Sequence, residues 1–301
     1  MALGMVLGAV TAAAQGTEAM PFLRINRDAA ANGMGFAGVA STSRIAYSSF
    51  SNSAMIPFGT QKGSVGASFQ GWAPNGEKST NIAFGAAMKA GSRLGFSLGG
   101  VYQGGEPYDV SDATGTVTGN FKPKDIVVGG GLGCRLTDNL SAGANVRYAS
   151  MSLATDASIS AVAADVFLAC RLSDLSLAAG VSSIGSSVTS STGESFSLPA
   201  SVTFGADYSR TFSDIHGIEL ALDADYFLKG SFSAAFGAQY SFKDMIFARA
   251  GYHLGTGSCV LPSFMTVGLG AKFVGINIDF AYLTANDVIG NTLTVGLGYS
   301  F

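Results

Sequence analysis

Apolar and polar positions alternate along most of this chain. The last stretch shows it plainly: Leu293, Val295, Leu297, Tyr299 and Phe301 occupy every second position, with Thr294, Gly296, Gly298 and Ser300 between them. A period of two puts each set on its own face of a strand. From Lys62 onward fourteen such segments follow one another, at about 62–72, 79–90, 92–104, 123–137, 139–151, 158–172, 174–185, 198–211, 217–229, 231–242, 244–255, 262–274, 275–284 and 291–301. Each reaches the roughly 9–11 residues that a tilted strand needs to cross a bilayer. The pattern predicts an all-β protein, a 14-stranded antiparallel transmembrane β-barrel. An even strand number lets both chain ends share one side, expected to be the periplasm.

Connection lengths test this independently. Ala90-Gly91, Thr137 to Asn139, Ser173-Asp174, Phe212 to His216, Lys243-Asp244 and Val274-Gly275 are short, and all fall on one side. Gly104 to Phe121, Ile184 to Phe196 and Gly255 to Leu261 fall on the other, the first two long and rich in Gly, Ser and Thr. Short periplasmic turns and longer external loops are the asymmetry of outer-membrane barrels.

Charge placement then assigns the faces. Ile218, Leu220, Leu222, Ala224, Tyr226 and Leu228 are expected to face lipid, which turns Glu219, Asp223 and Asp225 inward. The same logic points Arg135, Arg147, Asp165, Arg171, Asp207, Arg249, Lys272 and Asp279 into the lumen. A lipid-facing Arg or Lys at the midplane costs roughly 2–4 kcal/mol, so mid-strand charges on one face support a barrel. Tyrosines such as Tyr102, Tyr226, Tyr240 and Tyr282, with Trp72, read as an interfacial girdle.

Composition agrees. Of 301 residues 48% are hydrophobic and 12% charged, against about 25% charged in ordinary soluble domains. Mean hydropathy is +0.34, yet no apolar run reaches the roughly 18 residues of a membrane helix. A net charge of −3 excludes a basic nucleic-acid footprint. Cys134, Cys170 and Cys259 form no CxxC pair and no even framework.

The first sixty residues follow no period of two. Met1 to Ala14 reads as the end of a secretory signal peptide, with an apolar stretch Leu3 to Val10 and an A-x-A site at Ala12 to Ala14. Residues 15–61 are then a plug, and 62–301 the barrel. The segment is too polar at Arg24, Arg27 and Asp28 for lipid and too apolar for a loose tail, so it is expected to fold back into the lumen. Gly33, Gly35 and Gly38 would bring its backbone close to the wall.

A resemblance enters at this segment. Phe22, Leu23, Ile25, Asp28, Ala29, Ala31, Gly33, Met34, Gly35, Ala37, Gly38, Val39 and Ala40 match the amino-terminal signature of the PorV/PorQ family, outer-membrane barrels associated with type IX secretion in Bacteroidetes. Asn52-Ser53-Ala54 resembles that family's N-P-A motif; the chain departs from the pattern at Ala30 and Ser53. The resemblance implies a plug motif at Asp28, Gly33, Met34, Gly35, Gly38, Asn52 and Ala54. It also implies a secretion accessory whose partners are the type IX translocon and its carboxy-terminal-domain cargo. The terminal Leu297, Tyr299 and Phe301 resemble the signal read by the barrel assembly machinery in a Gram-negative outer membrane.

Three functions from different classes remain: that secretion accessory, a FadL-like transporter of hydrophobic small molecules, and a scaffold subunit of another outer-membrane complex. Outer-membrane lipid is a partner in all three. An enzyme is not expected. His216 and His253 belong to no Ser/His/Asp or metal-ligand spacing, and His253 reads as a solvated rim residue. No cofactor or metal site is proposed from the sequence.

Overall fold

A computed structural model describes residues 18–72, 79–112, 114–154, 157–189, 195–213, 215–256, 259, 261–284 and 290–301. The segment assigned to a signal peptide lies outside these residues. Among them, fourteen antiparallel strands close into one barrel. They are β1 Gly63–Trp72, β2 Ser79–Ala90, β3 Leu94–Gly104, β4 Lys124–Arg135, β5 Leu140–Ala154, β6 Ala157–Leu172, β7 Leu175–Gly185, β8 Ser201–Phe212, β9 His216–Phe227, β10 Phe232–Phe242, β11 Ile246–Thr256, β12 Phe264–Phe273, β13 Ile276–Thr284 and β14 Thr292–Ser300.

Each strand pairs with its neighbour in sequence, and the seam joins β1 to β14 from Ser64↔Ser300 to Gly71↔Leu293. Closure leaves no unpaired edge, the one way a sheet satisfies its backbone in lipid. Burial follows the period of two. On β9, Ile218, Leu220, Leu222 and Tyr226 are exposed while Glu219 and Asp223 are buried. The outer wall is consistently apolar, with Leu98, Leu269, Met265 and Phe84 among its most exposed side chains.

Two loops on the long-loop side carry structure of their own that periodicity did not predict. Tyr108–Ser111 pairs with Val117–Phe121 as a small hairpin, and Val188–Thr189 with Ser195–Phe196. One strand pair is irregular: β6 and β7 shift register between Ala164 and Val166, so that Ser182 and Ser183 face Asp165 alone. Ser183 has φ 55° and donates its backbone N–H to Asp165 Oδ1 at 2.7 Å.

Residues 19–59 lie inside this wall. They carry a short helix α1, Ala29–Asn32, and 3-10 turns at Pro21–Arg24, Ser48–Phe50 and Ser53–Phe58. Phe22, Met34, Ala37, Ile45, Met55 and Ile56 are all buried. Glycines in the wall make room for them. Gly298, Gly66, Gly85, Gly99 and Gly129 stand in register across five neighbouring strands. A Cβ on Gly85 would come within 2.4 Å of the Ala46 carbonyl, and one on Gly99 within 2.4 Å of the Phe50 ring. Backbone can therefore lie on backbone here because the side chain is missing.

The plug runs the full height of the barrel. Lys62 hands it over to β1 at the short-turn end, where Lys62 and Gly63 donate to the Phe301 carbonyl. Ala19 donates to the Ser197 carbonyl in the loop between β7 and β8, at the opposite end. The first described residues and Phe301 thus sit at opposite rims. The described part of the plug therefore carries the chain from the long-loop rim at Ala19 to the short-turn rim at Lys62. The even strand number places the two ends of the barrel together; the plug then carries the chain across once more.

Candidate functional site

The lumen holds the chemistry, and it is built from inward positions of alternating strands facing the plug. Asp28 caps α1, its Oδ1 accepting from Ala30 N–H at 2.9 Å, as a short acidic side chain does at a helix start. Asn52 caps the 3-10 turn Ser53–Phe58 in the same way: Oδ1 accepts from Ala54 N–H at 2.9 Å and Nδ2 donates to the Val39 carbonyl at 3.0 Å. Gly33 and Gly35 press against β11 and β12, where a Cβ on Gly251 would lie 2.1 Å from Gly35 N. Gly35 N–H donates to Thr266 Oγ1 at 2.8 Å. Met34 is fully buried over Gly237, and Gly38, with φ 149°, donates to Asp223 Oδ2 at 2.8 Å. Of these residues Gly33, Met34, Gly35, Gly38 and Ala54 lie against the wall, as do Ala46, Phe50, Ser53 and Ile56, while Asp28 and Asn52 cap turns within the plug.

A ladder of charge runs around the lumen. Arg44 reaches Glu219 at 2.6 Å, Asp28 at 3.8 Å and Asp207 at 3.9 Å. Gln239 Nε2 donates to Glu219 Oε2 at 2.9 Å, Arg249 Nε to Gln239 Oε1 at 2.6 Å, and Arg249 Nη1 to Asp279 Oδ1 at 2.6 Å. Across the lumen Arg147 pairs with Asp165 at 2.5 Å. Buried charges are retained when an opposite charge lies beside each of them.

One expected lumen charge takes another position. Lys272 pairs with Asp244 at 2.7 Å and lies at the short-turn rim, part-exposed, because its strand ends one residue later. It is a rim residue, not a lumen charge. Arg171 points inward at the same rim and donates to the Phe58 carbonyl at 2.7 Å. Asp225 is half-buried and accepts from Ser201 and Thr203.

Arg44, the hub of the network, was missed. Its signal was indirect: three neighbouring inward carboxylates, Asp207, Glu219 and Asp223, demanded a cation that the wall strands beside them did not all supply.

His253 is the other surprise. Instead of a solvated rim residue it is 6% exposed, on the inner face of β11. The loop before β12 folds inward over it, with Leu261, Phe264 and Leu283 forming a small core against Phe36. The His253 ring stacks on Phe264 with centroids 4.7 Å apart and an interplanar angle of 12°, and Phe36 lies 5.9 Å away.

These residues border a cavity of about 170 Å3 in the loop-side half of the lumen. Leu23, Phe36, Phe227 and Leu261 give it apolar walls, and Arg24, Asp225, Cys259 and His253 give it polar ones. Arg24 lies over the Phe227 ring, 3.8 Å from its centroid. Burial pushes the Cys259 thiol up from its ordinary value. Among the described residues no group of three or more His, Cys, Asp or Glu is placed to hold a metal ion.

No protein-family model matches the chain, and no curated protein matches it. Solved structures do. The chain is similar to the toluene transporter TbuX of Ralstonia pickettii, with a TM-score of 0.64 at 12% identity, covering 90% of this chain and 97% of that one. It is similar to the toluene transporter TodX of P. putida, with a TM-score of 0.64 at 14% identity over 91% and 98%. It is similar to the monoaromatic hydrocarbon channel CymD, with a TM-score of 0.65 at 13% identity over 92% and 98%. At such identities the likeness is one of fold alone: the chain closes into the same kind of antiparallel barrel as these transporters.

Proposed function

We propose that this protein passes small, largely apolar molecules across the outer membrane through a plugged barrel. The observation that carries this reading is the loop-side cavity of about 170 Å3, set between plug and wall, with Leu23, Phe36, Phe227 and Leu261 on its apolar side and charged and hydroxyl side chains on the other. An engineered apolar cavity of about 150 Å3 takes up benzene, so the space suits one small ring. Concave, mostly apolar sites with a few convergent polar groups are the usual form of small-molecule pockets. The fold shared with transporters of toluene and other monoaromatic hydrocarbons supports the same reading. Because residues 19–59 occupy the lumen, passage is gated by movement of the plug. The test is initial uptake of labelled toluene by a Gram-negative host expressing the chain, against the same host without it. Faster uptake supports passage, and equal rates overturn it.

A second reading rests on the Phe22 to Ala40 segment and its resemblance to PorV-type barrels. A plug tied to the wall by buried ion pairs suits a barrel that works through its loops and outer surface. In that case the protein is an accessory in type IX secretion, with the translocon and its carboxy-terminal-domain cargo as partners. Affinity purification from native outer membranes should then recover a very large translocon barrel or such a cargo. Recovery of the barrel alone would sink this second reading.

A further inference from the structure

We propose that the loop-side cavity is a binding site for a single-ring neutral molecule that carries a hydroxyl group, with His253 as the hydrogen-bond partner of that hydroxyl. The inference rests on the passage reading and narrows its substrate class. Its starting point is a group without a partner. His253 is buried, and neither ring nitrogen has a hydrogen-bond partner among the described residues. The Gly35 backbone lies beside the ring without the geometry of a hydrogen bond. Buried polar groups are nearly always paired, and each exception calls for an explanation. Here the unpartnered group borders a cavity.

Size and shape set the rest. The cavity matches one six-membered ring in volume. Phe36, Tyr47, Phe50 and Phe227 present aromatic surface to it, and rings pair favourably in offset or edge-to-face contact. A neutral imidazole has one donor and one acceptor nitrogen, and a hydroxyl can serve either. A hydrocarbon can serve neither and leaves the imidazole unpaired. A long acyl chain exceeds the space. A phenol-type molecule satisfies the volume, the aromatic walls and the orphaned nitrogen together.

The experiment is calorimetric titration of the purified full chain in detergent with phenol and with toluene. It is repeated on His253→Phe, which keeps the stacked ring and removes the nitrogens, and on His253→Asn, which keeps a donor and an acceptor. Persistence of the heat-modifiable compact band on a gel verifies that each variant is folded. The expected result is phenol bound about tenfold or more tighter than toluene by the native chain. That preference is lost in His253→Phe and partly kept in His253→Asn. Toluene held as tightly as phenol, or a preference surviving in His253→Phe, overturns the hydroxyl site and leaves the passage reading standing. A cavity that takes neither molecule, filled by water alone, overturns both.

Discussion

Arg44 of the plug and Glu219 of β9 meet at 2.6 Å, and both side chains are buried. That contact joins an otherwise featureless stretch of the plug to the wall. It is also the middle of a network that reaches Asp28, Asp207, Gln239, Arg249 and Asp279. Removing one partner of a buried ion pair strands the rest, at a cost of about 3–5 kcal/mol. Arg44→Gln should therefore loosen the plug while leaving the barrel closed. Raised single-channel conductance and a lowered melting temperature are expected. Native values for both would mean that the network does not hold the plug.

Gly251 and Gly119 should respond in opposite ways to Val. A side chain on Gly251 would overlap the backbone of Met34 and Gly35, whereas one on Gly119 meets nothing within 4 Å. Gly251→Val is expected to push residues 33–35 off the wall and expose the plug to protease. Gly119→Val should leave the digestion pattern unchanged. Equal resistance of the two variants would contradict the close approach.

Deleting residues 20–60 removes the material that fills the lumen. Conductance in planar bilayers should rise well above that of the native chain. An unaltered conductance would show that something else closes the barrel.

Cys259 offers a pH-dependent readout. Burial holds its thiol above the ordinary range, which for free cysteine centres near about 8.5. The thiolate is the reactive form, so alkylation should be slow at neutral pH and accelerate with rising pH. With Cys134 and Cys170 replaced by Ala, the midpoint of maleimide labelling should lie above that of a free thiol. A midpoint at or below it would place Cys259 in open solvent.

Phe301 closes the seam. Its carbonyl accepts from Lys62 and Gly63, its N–H donates to Gly63, and its ring stacks near Tyr299 with centroids 5.9 Å apart. Deleting it should reduce the yield of heat-modifiable barrel in the membrane fraction. Replacing it by Tyr should restore most of that yield, and equal yields of deletion and native chain would remove the terminal aromatic from assembly.

The wall was legible in the sequence because its physics repeats. Every strand faces hydrocarbon on one side and the lumen on the other, so each wrote the same two-residue period. Glu219, Asp223, Arg249 and Asp279 could be placed inward on that ground alone. What each of them touches was not legible, because the plug has no period and its partners lie far away in sequence. Arg44 looked like one cation among serines, yet three carboxylates converge on it. His253 was misplaced for a related reason. Position along a strand marks height in the barrel, but not whether a loop folds in above it, and Leu261 with Phe264 does so here. Lys272 was misjudged by a single residue of strand length.

The plug touches the wall nearly all the way round: Ser97, Ser141, Asn145, Glu219, Thr266 and Thr294 each hydrogen-bond to it. It also stands between Lys62 at one rim and Ser197 at the other. Those two facts bear on the order in which the molecule is made. A finished ring would have to draw forty residues of free chain up its bore and then form every contact in confinement. A sheet still open between β1 and β14 can instead be wound around the segment as around a mandrel, each strand settling against it in turn. On that route the seam at Ser64 and Ser300 is the last joint to close, and the plug serves as the form around which the barrel is shaped.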